Sequence, residues 1–249
     1  MKLFIPLFVF LAGLCTGSFL NVCICRLPEG GSIAYPPSNC PSCGSRLRAV
    51  DLIPLLSYLF LQGRCRYCGG KISAQYPMVE LATGILFLLA YLKHGLTPAA
   101  LRTAVLFAVV MAAAAIDWRY RIIPDRLNLA GFVLGAVLLF ESREVLTSNA
   151  IGFLAGGGLL YLVALVSRGG MGGGDIKLAA VMGLLLGWKY LLTALFFAFA
   201  AGALVGILLV LLKMKRMKEG LPFGPCLAFG SVVAALAGDR LVAWYLQLF

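Results

Sequence analysis

The sequence predicts an all-α polytopic membrane protein of about eight transmembrane helices, with a small cytoplasmic loop domain between helices 1 and 2. Three observations carry this reading. Of the 249 residues, 61% are hydrophobic and only 12% charged, and the mean hydropathy is +0.97, outside the range of water-soluble domains. Apolar segments recur along the chain with short breaks. One break, of about fifty residues, is rich in Pro, Gly, Ser, Cys and Arg and carries four of the eight cysteines.

Leu3 to Cys25 runs 23 residues without a charge, enough to cross a hydrocarbon core of roughly 30 Å. The run is too long, and Lys2 too slight a basic prelude, for a cleavable signal peptide. Residues 1–25 are therefore the first span. Residues 26–76 form the loop domain, which contains Cys40-Pro41-Ser42-Cys43-Gly44 and Cys65-Arg66-Tyr67-Cys68-Gly69, separated by 21 residues. Each CxxC turn offers two thiolates to one ion, and the glycine after it lets the backbone curl back. Cys40, Cys43, Cys65 and Cys68 thus make one structural, four-thiolate zinc site per chain. Cys15, Cys23, Cys25 and Cys226 read as small apolar packing residues. Leu52 to Leu61 is apolar but too short to span, which suits the membrane interface or the loop's own core.

Seven further apolar segments, at 77–92, 98–116, 126–140, 149–166, 176–187, 189–212 and 223–247, make residues 77–249 a seven-helix transmembrane domain. Glycines four apart, at Gly131/Gly135, Gly152/Gly156, Gly183/Gly187 and Gly202/Gly206, let helices approach closely. A formal charge of +11 would suggest nucleic acid in a soluble domain, but here the charge sorts by side. With eight spans, alternate breaks hold Arg26, Arg46, Arg48, Arg64, Arg66, Lys71, Arg119, Arg121, Arg126, Arg168, Lys177, Lys213, Lys215, Arg216 and Lys218, fifteen of the 21 basic residues. The positive-inside rule makes that side cytoplasmic, with both termini outward and no call on nucleic acid as a partner. Thiols on that side stay reduced and available to metal.

Two carboxylates stand out on the same side. Asp117 closes the alanine run Ala112 to Ala115, and Asp175 follows the glycine-rich break from Gly169 to Gly174. Two aspartates at helix ends on one membrane face suggest a dyad, one member ionised and one protonated. Gly172 and Gly174 would let an extended peptide come close to Asp175. Asp175 also reads as a helix N-cap before Ile176, and Asp125 after Pro124 reads as another. The single histidine, His94, falls in an outward turn, so Ser/His and Cys/His mechanisms find no support.

Gly17-Ser18-Phe19-Leu20-Asn21-Val22, Arg26-Leu27-Pro28, the two CxxC pairs, Asp51-Leu52-Ile53-Pro54 and Tyr76-Pro77-Met78-Val79-Glu80-Leu81 belong to one pattern. It continues through the Asp117 segment with Ile123-Pro124-Asp125 to Gly172-Gly173-Gly174-Asp175. From residue 13 to about 230 the chain resembles the bacterial type IV prepilin peptidases, membrane aspartic proteases of the GxGD type that are also N-methyltransferases. Gly173 departs mildly from the usual residue between the motif's glycines. The resemblance implies Asp117 and Asp175 as the catalytic pair. It implies as substrates the type IV prepilins and type II secretion pseudopilins, whose short basic leader is cut after glycine on the cytoplasmic face of the inner membrane. It implies a second reaction that methylates the new N-terminus from S-adenosylmethionine. No motif locates that methyl donor's site, since the glycine run does not spell a Rossmann fingerprint. Bulk charge cannot draw a basic leader to a basic face. The candidates to hold it are Glu29, Asp51 and Glu80, Glu219 being neutralised beside the Lys213 to Lys218 run.

Two other function classes fit parts of the sequence. A proton-coupled transporter would use intramembrane carboxylates beside glycine breaks, but the halves show no repeat. A membrane-anchored zinc module would explain the cysteine loop and leave Asp117 and Asp175 without a role.

Overall fold

The computed structural model describes residues 4–139, 141–167, 170–212 and 221–247. The expectations for Arg168, Gly169, Lys213, Lys215, Arg216, Lys218 and Glu219 lie outside the described residues. All described regular structure is helical apart from two isolated bridges. The chain forms two compact units, Met1–Gly95 and Leu96–Phe249.

In the first unit, helices α1 (Phe4–Arg26) and α3 (Gln75–His94) pack along each other. By packing, α3 lies with α1 in the unit that ends at Gly95. Glycine explains the pairing: an added Cβ at Gly13 would lie 2.8 Å from Gly84 Cα, and one at Gly17 2.6 Å from Glu80 Cα. Such small residues let two backbones meet directly. Asn21, buried on α1, donates from Nδ2 to Tyr76 O at 3.1 Å and so joins the start of α3 to α1. Several residues of the family pattern, Gly17, Asn21, Tyr76 and Glu80, therefore have a structural task in this helix pair.

Between these helices lie a 3-10 turn (Ala49–Leu52) and a short helix, α2 (Leu56–Phe60). Leu55, just before α2, has φ 60°, a region that a leucine rarely enters. Its N–H donates to Glu80 Oε2 at 2.9 Å, which holds the strained turn against α3. Leu56, Leu59 and Phe60 are exposed, in keeping with the interfacial reading of this stretch rather than with burial in the loop's own core.

The second unit contains α4 (Pro98–Tyr120), α5 (Asp125–Val137), α6 (Arg143–Val166), α7 (Gly173–Leu186), α8 (Trp188–Leu211) and α9 (Gly224–Leu246). Among the described residues eight helices stand where eight spans were expected, and of these only α1, α3, α4, α6, α8 and α9 are long and apolar enough to cross a membrane. The 13 residues of α5 and 14 of α7 rise about 20 Å at 1.5 Å per residue, short of the hydrocarbon core. Helix α7 can be short because protein surrounds it. Every residue from Leu178 to Leu185 is buried, against α4, α5, α6, α8 and α9.

The glycine pairs work as expected at α7. A Cβ at Gly156 would lie 2.7 Å from the Ala179 carbonyl carbon, and one at Gly152 2.9 Å from that of Gly183. Gly202 and Gly206 face only ordinary contacts, so that pair is looser. Gly187 ends α7 at φ 78°, a left-handed position that glycine takes without strain, and places α8 beside the start of α6. Asn149 Nδ2 of α6 donates to Leu184 O at 2.7 Å, satisfying a carbonyl that the end of α7 would leave unpaired. Helix α6 starts six residues before its apolar run because Ser142 caps it, accepting from Val145 N at 3.2 Å.

Candidate active site

Helix α4 runs on for one turn beyond its apolar segment, so Asp117 lies within its last turn and is only 6% exposed. The helix then stops at Arg121, whose φ of 56° gives the left-handed cap usually taken by glycine. This turn brings the Arg121 charge within reach of Asp117. From α9, Gly224 N–H donates to Asp117 Oδ2 at 2.7 Å. The thiol of Cys226, one turn into α9, is also within reach of the Asp117 charge.

Asp175 sits in the first turn of α7, and its carboxyl is close enough to Asp117 for the two charges to act on each other. The structure therefore brings together the two residues that the sequence singled out. Asp175 Oδ1 is buried and has no hydrogen-bond partner among the described residues. The helix N-cap is Gly172, with no side-chain cap bond, so the capping role weighed for Asp175 does not apply. A Cβ at Gly172 would stand 3.1 Å from Asp175 Oδ2, and one at Gly174 2.9 Å from both the Cβ and the carbonyl oxygen of Ile123. Gly174 is thus required by the close approach of Ile123, whereas Gly172 is exposed beside the carboxyl.

Asp125 is a correction. Pro124 occupies the cap position of α5, and the Asp125 carboxylate instead binds Lys177 of α7, both oxygens at 2.7 Å from Nζ. The pair is exposed and joins the starts of α5 and α7 beside the dyad. Next to it Asn128, 4% exposed, donates from Nδ2 to Gly174 O at 3.3 Å, and its Oδ1 is buried with no partner among the described residues. Sequence reasoning missed Gly224, Asn128, Lys177 and Ile123 as parts of this site. The only signal for Gly224 was Gly-Pro ahead of an apolar run, which reads as an ordinary helix start.

The cysteine loop of the first unit is built from two copies of one turn. Cys40 N–H donates to Ser45 O at 2.9 Å and Cys65 N–H to Gly70 O at 2.8 Å, while Gly44 and Gly69 share a φ near 70°. An antiparallel bridge closes each turn, Asn39 with Arg46 and Arg64 with Lys71. All four Sγ atoms of Cys40, Cys43, Cys65 and Cys68 lie within 4.8 Å of one another, and Cys40 to Cys68 is 4.0 Å. Four ligands at about 2.3 Å in a tetrahedron stand about 3.8 Å apart, so the group fits a thiolate-bound metal ion with no open position.

Of the three acids considered for the leader, two are engaged in this loop's own fold. Asp51 accepts from Arg66 Nε at 2.7 Å, Tyr67 Oη at 2.9 Å and Arg48 N at 3.0 Å. The Arg66 guanidinium and the Arg48 amide hold its carboxyl below the ordinary value. Glu80 holds Leu55, as described. Glu29 is exposed and has no hydrogen bond among the described residues. His94 ends α3 and belongs to the other unit from the dyad.

Comparison with known proteins identifies the family. Residues 11–94 match the Bacterial Peptidase A24 N-terminal domain, and residues 104–207 match the Type IV leader peptidase family. A Bacillus subtilis protein named prepilin leader peptidase/N-methyltransferase is 38% identical, over 96% of this chain and 97% of its own length. Proteins of the same name from Pseudomonas putida and Aeromonas salmonicida are 34% and 37% identical, covering 95% and 96% of this chain and 92% and 93% of theirs. No solved structure is significantly similar. By its two family models and by relatives at 34–38% identity over nearly its whole length, the chain belongs to the prepilin leader peptidase/N-methyltransferases.

Proposed function

We propose that this membrane peptidase and N-methyltransferase removes the short basic leader from type IV prepilins and type II secretion pseudopilins, then methylates the new N-terminal amine. The observation that supports it best is the meeting of Asp117 and Asp175, from two helices, with one carboxyl oxygen of Asp175 buried and unpaired among the described residues. In this reading one carboxylate takes a proton from water, the water attacks the scissile carbonyl, and the other carboxyl protonates the leaving amine. Gly172 leaves room beside Asp175 for an extended peptide.

Counted with all eight helices passing through, α5 and α7 inside the protein, the sequence's charge bias supports placing this chemistry at the cytoplasmic face of a bacterial inner membrane, with both termini outward. Zinc is the ion that best suits four thiolates in a reducing compartment. With its shell filled by Cys40, Cys43, Cys65 and Cys68, it would tie the loop domain together and take no part in hydrolysis. S-Adenosylmethionine would supply the methyl group; its binding residues are not assigned. Glu29 is the acid proposed to meet a basic leader, since Asp51 and Glu80 have partners of their own. Incubating the purified protein in detergent with a prepilin, and reading the cut and the mass of the new N-terminus, tests both reactions. An uncut substrate would remove the peptidase assignment, and a cut but unmethylated one would remove only the second activity.

A further inference from the structure

We propose that Gly224 is a positioning residue of the peptidase, whose backbone N–H and lack of a side chain together set where the Asp117 carboxylate stands. The inference rests on Asp117 being one of the two reacting carboxylates. The two residues are 107 positions apart in sequence and meet across α4 and α9. The N–H of Gly224 reaches Asp117 Oδ2 at 2.7 Å, inside a site where Asp117 is 6% exposed. A short bond to a carboxylate away from water is strong and directional. Pro225 follows with no N–H of its own, so Gly224 supplies the donor at this edge of the first turn.

Sterics point the same way. Gly224 does not lie in the left-handed region; a side chain before Pro225 in a helix carries a cost of its own, which is the same whatever stands at 117. What excludes a side chain is Asp117 itself: an added Cβ would stand 2.9 Å from Asp117 Cβ and Oδ2 and 3.2 Å from Cγ. At the α6/α7 seam the glycines meet backbone, but here the nearest atoms are those of the carboxylate side chain. A methyl group at 224 therefore displaces Asp117 before it displaces a helix.

The test compares Gly224→Ala, Asp117→Asn and Gly158→Ala with wild type on a prepilin, and on a precut pilin for methylation. Gly158 is a helical glycine with nothing within 4 Å, so its variant controls for the substitution itself. The expected result for Gly224→Ala is a kcat lower by about 100-fold, the scale of a 1 Å misplacement, with KM within about threefold and methylation retained. Wild-type kcat in Gly224→Ala beside an inactive Asp117→Asn overturns the positioning role and spares the dyad; an active Asp117→Asn overturns the dyad itself. Should Gly224→Ala fold poorly, its melting point is compared in the wild-type and Asp117→Gly backgrounds. Loss of most of its cost in Asp117→Gly, which lacks the opposing Cβ and carboxylate, supports the contact, and an equal cost in both backgrounds overturns it.

Discussion

The seam between α6 and α7 should reject a single methyl group at Gly156. A Cβ there would lie 2.7 Å from the Ala179 carbonyl carbon and 3.2 Å from Ala180 N, whereas ordinary contact begins at 3.4 Å. Both obstacles are backbone, so no side chain can turn aside and the helices must part by about 1 Å. A gap of that size forfeits a quarter to a half of each dispersion contact along the seam. The expected cost is about 1–3 kcal/mol, in the range of overpacked cores. Gly158→Ala on the same helix meets nothing within 4 Å and should gain about 0.5–1 kcal/mol from helix propensity alone. At about 2–4 °C per kcal/mol, the two variants should differ by at least about 3 °C in thermal melting in one detergent, Gly156→Ala melting lower. If Gly156→Ala melts at or above Gly158→Ala, the close α6/α7 approach that seats Asp175 is wrong.

Serine at Cys40, Cys43, Cys65 or Cys68 should lower zinc below one per chain by elemental analysis and leave the loop open to limited proteolysis; full zinc content in all four variants would contradict the site. Asp125→Asn should keep most of the cleavage rate and change stability by no more than about 0.5 kcal/mol, because its pair with Lys177 is exposed, at 72% and 55%. An inactive Asp125→Asn would move Asp125 into the machinery. Asp51→Asn should loosen the cysteine loop without altering the preference for a basic leader, whereas Glu29→Gln should reduce that preference, measured against a leader whose lysines are changed to glutamine. Because the folded value of Asp51 is lowered, its contribution to the loop is present above the ordinary carboxylate value and is lost as pH falls through the lowered one; an acid profile of protease protection that is the same in wild type and Asp51→Asn would count against it.

What was legible in the sequence follows from local physics. The positions of the six long helices show as apolar runs, and the cysteine turns show because ligand spacing and the following glycine are short-range requirements. Asp117 and Asp175 stood out because a carboxylate beside an apolar run needs a reason. The two short helices were less legible: hydropathy cannot tell a segment wrapped in protein, such as α7, from one that faces lipid. The polar start of α6 was hidden for the same reason, since its cap at Ser142 carries no apolar signal. Asp125 shows the limit of local reasoning, because the pattern suggested a cap while Lys177, 52 residues on, claims the carboxylate. Gly224 shows it again, for nothing near it in sequence says that it faces Asp117.

The central claim is that Asp117 and Asp175 form one catalytic pair. The most direct measurement is single-turnover cleavage of a prepilin by Asp117→Asn and Asp175→Asn, with methylation of a precut pilin recorded on the same preparations to show that each variant is folded. A neutral amide can neither take nor give the proton, so both variants should lose cleavage and keep methylation. Substantial cleavage by either one would contradict the account.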